Sequence, residues 1–216
     1  MAKKSAQFGA MLRNIHLNLS SEVLDEFRFH FGSSVAASRK DLQKTYDGLS
    51  DEQFECEQDR ADYEGVLSDE YWQLDEVKKL GESLAIVGLY RLVETHLGAV
   101  LRVTFPSLGE DKKACLIRGN SNEIDCTNLF GFRAVDELRL INNSIKHNDS
   151  KANGKLAMTY PGWIQDKHME NLGAHYERLK PDVMAYLKAF VNEAYAKSGE
   201  FAPPSLSTNG QVLSTT

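Results

Sequence analysis

The sequence has little cysteine, since Cys56, Cys115 and Cys126 are the only three among 216 residues. No two of them have the C-x-x-C spacing of a zinc-ligand pair, and an odd number does not suit a closed disulfide framework. Three cysteines without such spacing are typical of a reducing compartment. The pattern therefore predicts a cytoplasmic protein with no metal site.

The sequence also lacks an excess of positive charge and a long apolar run. Its 25 Lys and Arg residues stand against 31 Asp and Glu residues, which gives a net charge of −6. A nucleic acid would therefore have to bind a local basic patch, because the whole chain does not attract phosphate. No run reaches the ~18 apolar residues of a membrane span, so no membrane is predicted.

Phosphate-binding glycine loops, serine nucleophile elbows and HExxH zinc motifs are also absent, so no cofactor is predicted. His168 and His175, which we expect on one helix, do not have a third ligand at metal-binding spacing.

The apolar residues that are present follow a helical period. They make up 42% of the chain, which is typical of a globular protein, and they recur every three or four residues from 74 to 101. We predict an all-α, up-and-down helical bundle in a single domain, residues 1–198. Residues 199–216 are rich in Pro, Ser and Thr and are predicted to form a flexible, disordered C-terminal tail.

Several local expectations follow from this pattern. Ser21 is expected to cap a helix that begins at Glu22, and Ser50 and Ser68 are expected to start further helices. The glycines at 81, 88 and 98 are expected to let neighbouring helices approach closely. Three aromatic residues are expected in the core, and the segment LAMTYPGWI is expected to be extended because Pro161 disfavours helix before it. The three aromatic residues are Phe29, Phe31 and Trp72.

The stretch INNSIKHNDS, residues 141–150, closes a helix with a marked polar side. At about 100° per residue, apolar side chains from Ala134 to Ile145 share one side of this helix. Five hydrogen-bonding side chains share the other: Arg139, Asn142, Asn143, Lys146 and His147. Adjacent asparagines lower helix propensity without adding to a core, which indicates a functional surface. The alternative is a polar helix end whose asparagines bond the backbone.

This helix resembles the signature helix of the HEPN superfamily of all-α domains, and the resemblance covers residues 68–197. Ribonucleases of that superfamily carry Arg, four to six residues and then His, often with Asn directly after the Arg. His147 matches the His and Asn143 matches the polar residue. Asn142 stands where the Arg is expected, and Arg139 lies one residue too far from His147.

The resemblance implies an RNA-binding protein or a metal-independent endoribonuclease of a bacterial defence or toxin–antitoxin system. His147 would transfer protons, Asn143 would orient it, and Arg139, Lys146 and Asn142 would contact the substrate. The family also implies a homodimer with His147 near the two-fold axis. The missing Arg suggests an alternative, a catalytically inactive helical module that binds a partner protein or a nucleotide. A purely structural subunit is the third alternative.

Overall fold

Six α-helices build the protein in the computed structural model, which describes residues 2–106 and 124–198. They are α1 (Ala2–Leu17), α2 (Glu22–Asp47), α3 (Glu57–Thr104), α4 (Phe132–His147), α5 (Gly154–Thr159) and α6 (Leu172–Lys197). Two 3-10 turns, Asp51–Gln53 and Cys126–Asn128, precede α3 and α4. The prediction of an all-α bundle is confirmed. The predicted flexible tail, residues 199–216, lies outside the described residues.

Helix α3 is the centre of the bundle. Its carboxyl-terminal half is apolar on several sides, and α4 and α6 both pack against it. By length and composition α3 is apolar enough to cross a membrane, with a mean hydropathy of 1.4 over its most apolar 18-residue window. Half of that window is buried inside the protein. The fully buried part includes Ala85, Ile86, Leu89, Val93, Val100 and Leu101.

Helix α2 runs antiparallel to α3. The ring of Phe31 occupies the space that a side chain at Gly81 would need, and Leu24 does the same at Gly88. Two of the three predicted close-approach glycines are therefore confirmed. The third prediction is wrong, because no atom of another helix in the described part of the chain lies within 4 Å of the position that a Cβ on Gly98 would take.

The α2–α3 hairpin extends beyond the bundle as a two-helix arm, residues 32–80. Val35 and Leu67 are its only buried apolar side chains. The prediction that Phe29 and Trp72 belong to the core is wrong, since both are largely exposed. Trp72 lies in the arm, where α2 and α3 pack only on each other, so each helix buries one narrow side. Phe29 precedes the arm and lies on a side of α2 that stays open to solvent.

Two predicted helix starts take a different form. Ser50 and Gln53 do form a capping box, but it closes the 3-10 turn at the tip of the arm. Ser68 lies inside α3, which already begins at Glu57. Residues 156–159 are helical and not extended, because the side chain of Asn153 accepts a hydrogen bond from the amide of Leu156 and caps α5.

Helix α4 packs antiparallel on α6 through a close contact at its first turn. Gly131 has a φ of +82°, and a Cβ there would collide with the backbone oxygen of Asp182. Helix α6 continues through Pro181 without ending. Gly131 thus brings the amino end of α4 directly onto the α6 backbone, and this contact fixes where the polar residues of α4 lie.

The close contact at Gly131 predicts opposite effects for two glycine substitutions. Gly131→Ala adds a left-handed strain of about 1–2 kcal/mol and an overpacking cost of about 1–3 kcal/mol. Gly98→Ala is the matched control in open space and should stabilise α3 by roughly 0.5–1 kcal/mol. Urea unfolding measures both, and equal stability of Gly131→Ala and the unchanged chain would contradict the contact.

Candidate functional site

The carboxyl end of α4 is a closely bonded turn. The backbone amides of Asn148 and Ser150 both donate to the Ser144 carbonyl, at 3.1 and 3.2 Å. Asp149 and Ser150 take left-handed φ angles of 50° and 55°. The Ser144 hydroxyl accepts from the side chain of Asn153 at 2.9 Å. The helix therefore ends at His147 for a local reason, as the sequence predicts.

Only part of the predicted polar side of α4 faces solvent. Lys146 and His147 are exposed and Asn143 is half-buried. Arg139 is only 8% exposed and Asn142 only 2%. The prediction that all five side chains share an open side is wrong for these two. The cause is that α4 is covered by α3, by α6 and by the segment that follows α5, so its buried arc is wider than one packed neighbour requires.

Arg139 is bound inside the protein. Its Nε and Nη2 atoms donate to one carboxylate oxygen of Asp136, at 3.2 and 2.5 Å. The other oxygen of Asp136 accepts from the Tyr160 hydroxyl at 2.9 Å. Burial, and then the bond to Asp136, raises the pKa of Tyr160. A phosphate contact would have to separate Arg139 from this carboxylate.

Asn142 leaves a buried acceptor without a partner. Its Oδ1 atom is inaccessible to water and has no hydrogen-bond partner among the described residues. An unpaired buried acceptor costs about 1–3 kcal/mol. The predicted contact between Asn142 and a substrate therefore requires α4 to open.

Helix α4 carries a second buried carboxylate, Glu137, which the sequence analysis did not single out. It accepts from the Trp163 indole at 2.9 Å and from Arg178 through both oxygens, at 3.1 and 2.6 Å. The Arg178 guanidinium also lies 3.1 Å from Nδ1 of His175, whose ring packs on Trp163 at 4.3 Å. Burial, and then Arg178, lowers the pKa of His175.

These residues line a shallow cleft of about 450 Å³ between α4, α6 and the 160–163 segment. The polar groups of the cleft bond mainly to one another, so they hold that segment on the bundle. One signal in the sequence could have indicated them: Glu137 follows Asp136 directly and lies next to apolar Leu138 in the same helix.

A third cluster joins α1, α3 and α6. Nδ1 of His16 lies 3.0 Å from the Tyr195 hydroxyl, and its ring meets the His96 ring edge to face at 5.8 Å. His96 is 9% exposed, and its Nε2 atom has no hydrogen-bond partner within the described ranges. Burial, and then the nearby His16, lowers the pKa of His96 to about 4.

Two further pairs of charged or imidazole side chains do not form a site. Arg91 and Glu94 are a loose pair on the surface of α3, 4.0 Å apart. His175 lies on α6, but His168 precedes that helix and pairs with Lys151 in an isolated bridge, so the two histidines do not share a helix. In residues 2–106 and 124–198, no three His, Cys, Asp or Glu residues are grouped so that they would hold a metal.

Comparison with protein-family models, with curated proteins and with solved structures finds no match for this chain. The resemblance to HEPN domains, and with it the predicted homodimer and the roles of His147, Asn143 and Lys146, therefore stay predictions.

The two ends of the proposed motif should differ in their effect on stability. Arg139→Ala leaves Asp136 partly unpaired and should cost about 1–3 kcal/mol of unfolding free energy. His147→Ala removes an exposed side chain and should change it by less than about 0.5 kcal/mol. Urea unfolding of both variants measures the difference. A neutral Arg139→Ala would mean that the guanidinium is free in solution.

The buried His96 should make stability depend on pH. The folded chain favours the neutral ring, so an unfolded chain takes up the proton first as the pH falls. The stability present above pH 6.5 should decline towards pH 4 by roughly 3 kcal/mol. His96→Gln should flatten most of this slope, and the part due to the lowered pKa values of His16 and His175 should remain. An unchanged slope in that variant would rule His96 out, and exposed His30→Gln is the matched control.

Proposed function

We propose that this chain is a catalytically inactive helical module, HEPN-like in arrangement, that binds a partner protein in the cytoplasm. An exposed apolar surface on the α2–α3 hairpin, beside the core and at the base of the arm, carries the proposal. We name it the arm face, and its members are Val23, Phe27, Val77, Leu80 and Leu84, all of them exposed. Soluble monomers seldom expose contiguous apolar patches of this kind without binding something there.

The state of Arg139 supports inactivity. Metal-independent cleavage of RNA requires a proton-transfer group near the 2′-hydroxyl and a cation that stabilises the developing charge on phosphorus. His147 is exposed and suits the first role. Arg139 is held by Asp136, and Asn142 is buried and uncharged, so the α4 motif itself supplies no free guanidinium to the second role.

Binding of RNA or of a nucleotide without cleavage is the second candidate. The turn after α4 lies beside residues 166–169, where the amide of Ala152 donates to the carbonyl of Lys167 at 2.9 Å. The exposed Lys146 and His147 precede this turn, and Lys151 pairs with His168 in the bridge. Basic side chains thus gather at this end of an otherwise acidic protein, although Lys151 pairs with Asp149 at 3.2 Å. A local basic patch is what phosphate binding would need.

A cleavage assay tests the inactive assignment. The full chain, incubated with structured and single-stranded RNA in the absence of metal, should produce no more fragments than His147→Ala does. A genuine proton-transfer residue contributes about 10²- to 10⁴-fold, so even weak activity would separate the two proteins. RNA cleavage that His147→Ala abolishes would contradict the proposal.

The same RNA tests the second candidate through binding. If the basic end holds phosphate, Lys146→Glu with Lys151→Glu should weaken binding and flatten its dependence on salt. Lys188→Glu, an exposed lysine on α6, is the matched charge control. Equal binding by all three proteins would exclude this surface.

A further inference from the structure

The arm face lies on the side of the α2–α3 hairpin that points away from α6. On the opposite side of the hairpin, Asp25 contacts Lys180 of α6 and Glu82 contacts Gly173 of α6. Phe27 and Leu84 each follow one of these acidic residues by two positions, which is about 200° around a helix. They therefore point to the side away from α6, which no described helix covers.

The same geometry holds further along the arm. Arg39 and Asp75 form an ion pair on the α6 side of the hairpin, and Val77 follows Asp75 by two positions. Leu80 and Leu84 continue the stripe at a spacing of three and four residues, and they are 60% and 51% exposed. A stripe with this spacing is the pattern by which one helix packs along another.

The residues of this stripe can pair with those of a second, antiparallel copy of α3, apolar residue against apolar residue and acidic against basic. Val77 stands three residues before Leu80 and Leu84 four residues after it, while Glu70 stands ten before and Arg91 eleven after. An antiparallel copy of α3 centred between Leu80 and Gly81 would therefore place Val77 against Leu84 and Glu70 against Arg91. A two-fold axis makes each of these contacts twice.

Among the described residues, these two charged side chains have little else to bind. The side chain of Arg91 is 78% exposed, and its nearest acidic partner, Glu94, is 4.0 Å away. Glu70 is exposed and has no ion pair within the described part of the chain. Both are thus available at the ends of the apolar stripe, where a rim of opposite charges would fix the register of the two helices.

Helix α2 fits the same axis. Phe31 packs on Gly81, so the axis between Leu80 and Gly81 crosses α2 near Gly32. Phe27 lies five residues before Gly32 and Ala37 lies five after it, so the exposed ring would meet a small residue of the other copy. A large side chain opposite a small one lets two helices approach closely.

We propose that the arm face binds a second copy of this chain, and that the two hairpins form an antiparallel four-helix bundle with its two-fold axis between Leu80 and Gly81. The proposal rests on the proposed function and names the partner that the binding module takes. About 32 Å of α3 and about 27 Å of α2, each ~10 Å wide, give a total interface of roughly 1,200 Å². That area exceeds the ~1,000 Å² expected of a specific interface. The axis differs from the one that the HEPN resemblance implies, which would lie near His147.

Light scattering on the full chain at micromolar concentration tests the proposal, and the expected result is a dimer. Leu80→Asp places a charge next to the axis twice and should give a monomer. Trp72→Asp is the matched control, because Trp72 is 65% exposed on the same helix but lies beside the stripe, about 80° from Leu80, 120° from Leu84 and 140° from Val77 around the helix. It should remain a dimer, and circular dichroism should show equal helix content in both variants.

A charge exchange tests the register. Glu70→Arg and Arg91→Glu should each raise the dissociation constant of the dimer by about tenfold, because each places two like-charged pairs at the rim. The double variant should restore the original affinity. The double variant would not regain the original dimer affinity in an interface where Glu70 and Arg91 do not meet.

The proposal would be overturned by a monomeric unchanged chain, by a dimeric Leu80→Asp variant, by a monomeric Trp72→Asp variant, or by a double charge variant that still dimerises weakly. Dissociation by His147→Glu but not by Leu80→Asp would place the axis at α4 instead. Capture of a different protein or of lipid vesicles by a monomeric chain would also overturn it. A monomeric chain would contradict the dimer but not the proposed function, since an inactive module could bind another partner. Cleavage of RNA by a dimeric chain would contradict only the proposed function.

Discussion

The burial of the carboxyl-terminal half of α3 between α4 and α6 is the constraint on which the rest of the structure depends. Residues from Ala85 to Leu101 supply apolar side chains on more than one side, so α3 must be covered by several helices at once. Covering it brings α4 and α6 together, with the bare backbone of Gly131 at their contact. Because α3 and α6 each cover one side of α4, the positions of the polar residues of α4 are set by this packing.

This constraint explains why the two carboxylates of α4 each have a cation and a hydrogen-bond donor beside them. Asp136 and Glu137 are adjacent in α4, and each is enclosed by the packing that the helix needs. An enclosed carboxylate requires a cation or a donor beside it. Arg139 and Tyr160 meet this need for one, and Arg178 and Trp163 for the other. The presence of Arg139 at this position is therefore explained by the need to pair Asp136 inside the bundle.

The sequence predicted those features that depend on neighbouring residues. The bounds of α4 followed from its period and from the turn-forming residues after His147, and the close approach at Gly81 and Gly88 followed from their place in a long helix. The burial of Arg139 and the exposure of Trp72 could not be predicted from the sequence. A helical wheel shows which side chains share one side of a helix, but it does not show how many sides are covered by other helices. Arg139 is buried because α4 has several neighbours, and Trp72 is exposed because its part of α3 has one.

The cluster of His16, His96 and Tyr195 was beyond sequence reasoning for a similar reason. Its members belong to three helices and are separated by 80 and 99 positions along the chain. No local spacing relates them, and only the docking of α1 brings His16 to the other two. Local motifs were therefore a good guide to helix ends and a poor guide to which side chains meet.

The two-helix arm also divides α3 into parts of unequal stability. One backbone helix runs without interruption from Glu57 to Thr104, but its first half is held by few buried side chains and its second half by the whole core. Amide hydrogens in the arm should then exchange with solvent through a local opening that leaves the core intact. A protease should cut the arm before the bundle for the same reason. Helix α3 is thus continuous in its hydrogen bonds but consists of two cooperative units, and a second copy bound along the arm would join them into one.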